Sequence, residues 1–311
     1  MTPTPVIDTR DLTRYYGSAV GVEGLTLAID PGEIFGFLGP NGAGKSTTIR
    51  LLLDLIRPTR GEALLFGSPR NDPALRSRIG YLPGELSLDG RMSGEDTLVF
   101  LASLNRARPT PRSRREELCE RFGLSKKDLK RKVREYSRGM KQKVGLVSAF
   151  QHNPDLLILD EPTTGLDPLV REVVFELMTE VRNDGVTVFH SSHILSEVDR
   201  TCDRVGILRG GSLVALFTVA EARKASARSM VVDFSGEPPV EEIRNIGLLV
   251  DKVEARRVTL KVTGDLGPLL NLLAQHDVEH LSSPEPSLED AFNSFYEGPG
   301  QSERSSHGRK D

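Results

Sequence analysis

Gly39-Pro40-Asn41-Gly42-Ala43-Gly44-Lys45-Ser46-Thr47 fits the phosphate-cradling pattern GxxxxGK[ST] and follows the apolar run Glu33-Ile34-Phe35-Gly36-Phe37-Leu38. The order predicts a buried strand, a glycine-rich turn and a helix beginning near Lys45. Gly39, Gly42 and Gly44 leave room for backbone N–H groups to converge on phosphate oxygens, and the helix start offers its positive end to the same anion. Asn41 and Thr47 belong to the same cradle. Lys45 is expected to reach the outer phosphates, and the Ser46 hydroxyl to face Mg²⁺. The stretch therefore predicts a nucleotide site.

With 311 residues the chain has material for a main core and a smaller second unit. A hydrophobic fraction of 38%, a charged fraction of 27% and a net charge of −3 are those of an ordinary globular protein, so no polyanion partner such as nucleic acid is expected. Cys119 and Cys202 lack metal-type spacing and read as buried thiols in a reducing cytoplasmic setting. No apolar run approaches the ~20 residues of a membrane helix, and the first residues lack the features of a signal peptide.

Strands are expected at 22–29, 33–38, 62–66 and 79–82, with a helix at 45–56 ending before Pro58. A helical insertion spans about 91–138. It opens on Ser93 as N-cap, with Leu98, Leu101 and Leu104 on one face, and continues in a charged helix at 111–122. The α/β rhythm returns with a helix at 139–151, a strand at 156–159, a helix after Pro168 and strands at 186–189 and 204–208, closed by the turn Gly210-Gly211. Beyond about residue 222 the texture changes. Strands at 230–234, 248–253 and 258–262 with helices at 239–246 and 266–276 suggest a small split βαβ domain over 228–297, and 298–311 reads as a disordered tail. The basic run Lys126, Lys127, Lys130 to Arg134 reads as a solvated helix face, with anionic lipid as its alternative contact.

Leu156-Leu157-Ile158-Leu159-Asp160-Glu161-Pro162 delivers two carboxylates at the end of an apolar strand, where an α/β sheet places its ligands. Asp160 suits Mg²⁺, and Glu161 suits a general base acting on the attacking water.

With the phosphate loop and these acids in this order, residues 6–217 resemble the ATP-binding subunit of an ATP-binding cassette (ABC) transporter. The resemblance implies an α/β fold: a P-loop NTPase core of the ABC ATPase type over 1–222, with a β subdomain and the helical insertion, followed by the small α+β domain. It implies ATP and Mg²⁺ as ligands. Tyr16 stands where the family stacks an aromatic on adenine, with Tyr15 as the alternative. Tyr136-Ser137-Arg138-Gly139-Met140-Lys141-Gln142 resembles the LSGGQ segment, with Tyr136, Arg138 and Met140 as departures. Ser137 and Gly139 are then the residues that grip the γ-phosphate held by a second subunit. Thr163-Thr164-Gly165-Leu166-Asp167-Pro168 resembles the loop that contacts the other subunit's phosphate site through Asp167. His193 matches the switch histidine, expected to bond the γ-phosphate and position the water, with His190 as its competitor.

In Ile79-Gly80-Tyr81-Leu82-Pro83-Gly84-Glu85 the family's metal-contacting Gln is replaced by Gly84, which leaves Glu85 as a candidate ligand or the loop as a hinge. The resemblance implies an ATPase that powers an exporter from the inner face of the cell membrane, with a second copy of the subunit and an integral membrane permease as partners. Pro286-Ser287-Leu288-Glu289-Asp290-Ala291-Phe292 resembles the extension of drug and antibiotic exporter ATPases. A signalling GTPase would need an Asn-Lys-x-Asp element, where the nearest string is Ser125-Lys126-Lys127-Asp128. A soluble ABC protein acting on ribosomes or DNA would usually carry two cassettes.

Overall fold

The computed structural model describes residues 3–105, 107–225, 228–262 and 265–283. The segment 286–292 and the tail 298–311 lie outside the described residues. The chain divides after Thr218 into two compact units.

In the first unit, β1 (Ile7–Tyr16) and β2 (Ala19–Ile29) form an antiparallel hairpin that turns at Gly17, whose φ of 62° suits glycine. Leu25, Leu27 and Ile29 alternate inward, the period expected of a half-buried strand. β3 (Ile34–Leu38) is buried on both faces and leads through the glycine loop into α1 (Lys45–Leu52). β4 (Arg60–Leu65) and the short β5 (Ser68–Pro69) complete a sheet of order β2-β1-β4-β5.

β6 (Ile79–Leu82) is followed by the insertion: α2 (Gly94–Leu104), α3 (Arg112–Arg121) and α4 (Lys126–Lys130). Then come α5 (Arg138–Phe150), β7 (Leu156–Asp160), α6 (Pro168–Asn183), β8 (Thr187–Ser192), α7 (Leu195–Thr201), β9 (Arg204–Arg209) and β10 (Ser212–Thr218). The second sheet has the order β10-β9-β3-β8-β7-β6 and is parallel except for β10. Phe35, Phe37 and Phe189 pack ring against ring at 5.3–6.5 Å between its central strands, in a core that also holds Ile7, Leu25 and Ile49.

The structure departs from the sequence expectations where local pattern competes with tertiary contacts. α1 stops at Leu52, earlier than expected, because Asp54 turns left-handed at φ 55° and the Leu55 N–H returns to Arg50 O. Ser93 caps α2 by accepting the Asp96 N–H at 3.1 Å, but only Leu98 of the expected apolar face is fully buried. Val99, Phe100 and Leu104 are exposed, because α2 packs on α4 and α5 along one side. The chain does not end the sheet at Gly210-Gly211: that turn is a hairpin into β10.

The second unit contains α8 (Val219–Ala225), β11 (Arg228–Phe234), α9 (Val240–Asn245), β12 (Leu249–Glu254), β13 (Arg257–Val262), α10 (Gly267–Leu273) and β14 (Val278–Ser282). Its antiparallel sheet of order β12-β13-β11-β14 is the split βαβ arrangement. Met230, Val232, Phe234, Val258 and Leu260 from the strands meet Ile243, Leu269 and Leu272 from the helices to form its core.

Candidate functional site

The loop after β3 is shaped by steric necessity. Gly42 and Gly44 hold φ of 81° and 109°, and a Cβ on Gly44 would lie 2.3 Å from Gly21 O. A Cβ on Gly39 would lie 2.5 Å from Leu208 O. The turn is thus wedged between β2 and β9, and residues of the loop and of the first turn of α1 line one cavity of about 280 Å³. Tyr16, Asn41, Gly42, Gly44, Lys45, Ser46, Thr47 and Glu161 line it. Lys45 is buried, its Nζ donating to Gly39 O at 2.7 Å and Pro40 O at 3.2 Å.

Tyr16, 44% exposed, presents its ring to this cavity with the Arg14 guanidinium 4.9 Å from the ring centre. Tyr15 does not line it: its hydroxyl donates to Glu23 at 2.5 Å, a bond that holds the phenol's pKa above its ordinary value.

β7 ends beside the loop. Asp160 is buried and accepts the Ser191 hydroxyl at 2.5 Å, and the same oxygen of Ser191 accepts the Glu161 N–H at 3.1 Å. Glu161 itself adopts φ 50°, an uncommon conformation for a residue with a side chain. The turn aims its carboxylate at two other candidate site residues, a meeting the sequence did not predict: Oε1 lies 3.2 Å from His193 Nδ1 and 3.6 Å from Lys45 Nζ. Thr164 Oγ1 donates to Oε2 at 3.3 Å, and Gln142 Nε2 holds the backbone by donating to Pro162 O at 3.1 Å.

His190 is separated from this cluster. It is fully enclosed beside Cys202 Sγ at 3.0 Å, and burial depresses its pKa to about 4. Burial likewise raises both thiols, Cys119 to about 11.

Ser137, Gly139 and Asp167 do not line the cavity; they form a second cluster. Ser137 caps α5 by accepting the Met140 N–H at 3.2 Å, and Asp167 caps α6 by accepting the Val170 N–H at 3.0 Å. The start of α5 lies against the loop that leads into α6: a Cβ on Gly139 would come within 2.9 Å of Gly165 O. Glu85 is exposed, whereas Gly84 lies against Asp160, its Cβ position 3.1 Å from Asp160 Oδ2. A larger concavity of about 690 Å³ among α2, α3 and α4 holds none of these residues.

No group of three or more His, Cys, Asp or Glu able to hold a metal occurs among the described residues. The Ser46 hydroxyl and the Asp160 carboxylate are hard oxygen donors suited to Mg²⁺ when phosphate oxygens supply the remaining ligands. Ser191, Thr164 and Gln142 were not anticipated. None of them had a signal in the sequence alone, since Ser191 comes to stand beside Asp160 only through the parallel register of β7 and β8.

Comparison with known proteins matches residues 22–164 to the family described as ABC transporter. An uncharacterised ABC transporter ATP-binding protein of Nostoc sp. is 42% identical over 218 residues, which are 67% of this chain and 65% of that protein. The bacitracin transport ATP-binding protein BcrA of Bacillus licheniformis is 33% identical over 92% of this chain and 96% of its own length. Among solved structures, an ATP-binding subunit of an ABC transporter superposes with a TM-score of 0.64 at 33% identity, covering 70% of this chain and 92% of that one.

Proposed function

The chain belongs to the ABC transporter ATP-binding proteins, the ABC ATPases, and from that premise we propose that it binds and hydrolyses ATP to power an exporter whose membrane pathway is a separate protein. The observation that carries the reading is the convergence of Lys45 and His193 on one carboxylate oxygen of Glu161 at the edge of the glycine cradle. Among the described residues, Glu161 is the only carboxylate that lines this cavity.

In this reading the loop N–H groups and Lys45 bind the β- and γ-phosphates, and Tyr16 stacks on adenine. Ser46 and Asp160 would hold Mg²⁺, which when bound neutralises charge on the transferring phosphoryl group. Glu161 takes a proton from the attacking water as its oxygen bonds phosphorus and the bond to ADP breaks. His193 Nδ1–H donates to Glu161 Oε1, holding the carboxylate toward that water. The left-handed turn at Glu161 is the strained conformation that aims it there.

Two copies would meet head to tail, with Ser137, Gly139 and Asp167 of each completing the other's site. Their distance from their own chain's cavity, and the anion-seeking start of α5, support this arrangement. ATP then favours the closed pair, and loss of its γ-phosphate releases it. No helix among the described residues is long and apolar enough to cross a membrane, so the transport path is assigned to a permease that holds the ATPase at the inner face of the membrane. The exposed Val99, Phe100 and Leu104 on α2 offer that partner an apolar surface. Export of a drug-like or antibiotic cargo is supported by the name of the bacitracin relative.

The test is Glu161→Gln. It is expected to keep ATP affinity, lower turnover by about 10² to 10⁴ and accumulate an ATP-dependent dimer in size-exclusion chromatography. Undiminished hydrolysis would remove Glu161 from the chemistry, and a strictly monomeric variant at saturating ATP would refute the sandwich.

A further inference from the structure

Glu197 lies in the first turn of α7, and its side chain is turned inward, 7% exposed, with no ion-pair partner among the described residues. One of its oxygens, Oε2, receives two hydroxyls: Thr163 Oγ1 at 2.9 Å and Ser192 Oγ at 3.0 Å. Thr163 follows Glu161 by two residues, and Ser192 immediately precedes His193. Both donors are themselves buried. Ser192 Oγ also accepts the Ile194 N–H at 3.0 Å, so the carboxylate is tied to the backbone on the far side of His193 as well. The other end of the bracket is anchored in α7, where Thr201 Oγ1 donates to Glu197 O at 2.8 Å.

We propose that Glu197 is a positioning residue for hydrolysis: its carboxylate clamps the loop that carries Glu161 to the loop that carries His193, and so sets the contact between them. This rests on the assignment of those two residues to catalysis. A buried carboxylate without a cation is costly, and its second oxygen, Oε1, has no protein partner among the described residues. An apolar side chain would serve packing at lower cost. The carboxylate supplies an oxygen able to accept from both strand-end loops at once, just beyond the last paired residues of β7 and β8. A displacement near 1 Å between reacting groups costs on the order of 10²-fold in rate, so a clamp here acts on turnover more than on nucleotide affinity.

The chemistry makes a selective test available. Because both hydroxyls go to a single oxygen, Glu197→Gln retains the acceptor, whereas Glu197→Ala removes it. Steady-state ATP hydrolysis and thermal unfolding are measured for both, alone and with His193→Ala. Glu197→Ala is expected to lower kcat by about 10- to 100-fold with KM for ATP changed by less than roughly threefold, and Glu197→Gln to recover most of that loss. With His193 already removed, Glu197→Ala adds little, because the contact it sets no longer exists.

Wild-type kcat in Glu197→Ala, equal impairment in Ala and Gln, or a full additional loss in the His193→Ala background would each overturn the proposal. If Glu197→Ala does not fold, Thr163→Val combined with Ser192→Ala removes the same two bonds and is expected to reproduce the kcat loss; unchanged kcat there overturns it. Glu161→Gln in the same series separates the two ideas. If Glu161→Gln abolishes turnover while the Glu197 variants do not, only the clamp fails, whereas undiminished turnover in Glu161→Gln removes the catalytic assignment beneath it.

Discussion

Replacing Ser191 by Ala removes one oxygen with two duties inside a fully buried strand end. It donates to Asp160 Oδ1 at 2.5 Å and accepts the Glu161 N–H at 3.1 Å. The first is a bond to an ionised group, worth about 1.5–3 kcal/mol. The second leaves a backbone N–H unpaired, a loss of about 1–3 kcal/mol. Ala fits the space without strain, so nothing offsets these terms. Their partial overlap through one shared atom suggests a total of about 3–5 kcal/mol rather than the full sum. For a unit of this size each kcal/mol corresponds to about 2–4 °C, which places the fall in Tm at roughly 6–20 °C.

The assay is calorimetric unfolding, following the transition that ATP shifts, with Mg²⁺-dependent ATP hydrolysis measured on the same preparations. Turnover should fall as well, since Asp160 and Glu161 lose a shared restraint. A Tm within about 2 °C of wild type together with unchanged turnover would refute the account of the strand end.

Gly44→Ala should abolish measurable nucleotide binding by equilibrium dialysis and lower Tm, because the new Cβ meets Gly21 O at 2.3 Å in a left-handed conformation; retained affinity would mean the cradle tolerates a shift of β2. His190 is held neutral by burial, with its pKa depressed to about 4. The unfolded chain therefore binds a proton that the folded chain does not as pH falls from about 6.5 toward 4, and stability drops across that window by roughly 3 kcal/mol. Urea titrations over this range in wild type and His190→Leu should show a shallower pH slope in the variant, and identical slopes would contradict the assignment. Glu85→Ala should leave the Mg²⁺ concentration needed for half-maximal hydrolysis unchanged, because Glu85 is exposed and does not line the cavity, and a several-fold rise would bring it into the metal set.

The phosphate loop, β3, β7 and the order of acids and His193 were legible because each is a local pattern: an apolar run of strand length followed by residue types that one chemistry requires. β1 was not, because its Arg, Asp and Thr residues do not alternate cleanly. Asp11 at φ 51° and the register shifts of the hairpin explain why: the strand is held by pairing to β2 and β4 rather than by its own periodicity. The apolar face of α2 was overestimated for a related reason, since helical spacing says which residues can share a face but not whether a neighbour covers it.

The choice between paired candidates needed the fold. Tyr15 and Tyr16 are adjacent in sequence, as His190 and His193 nearly are, and residue type cannot separate them. Strand alternation sends Tyr15 to Glu23 and Tyr16 to the cavity, while β8 buries His190 and the chain beyond its end exposes His193. A glycine loop after a buried strand, two acids at a strand end and a change of texture before the second compact unit are all readable along contiguous stretches, because they follow from glycine sterics, apolar periodicity and residue chemistry. Only the tertiary structure decided which side chains meet around Glu161 and which hydroxyls hold the strand ends in place. Those contacts join residues as far apart in the chain as Lys45 and Glu161, through a parallel register that no local pattern encodes.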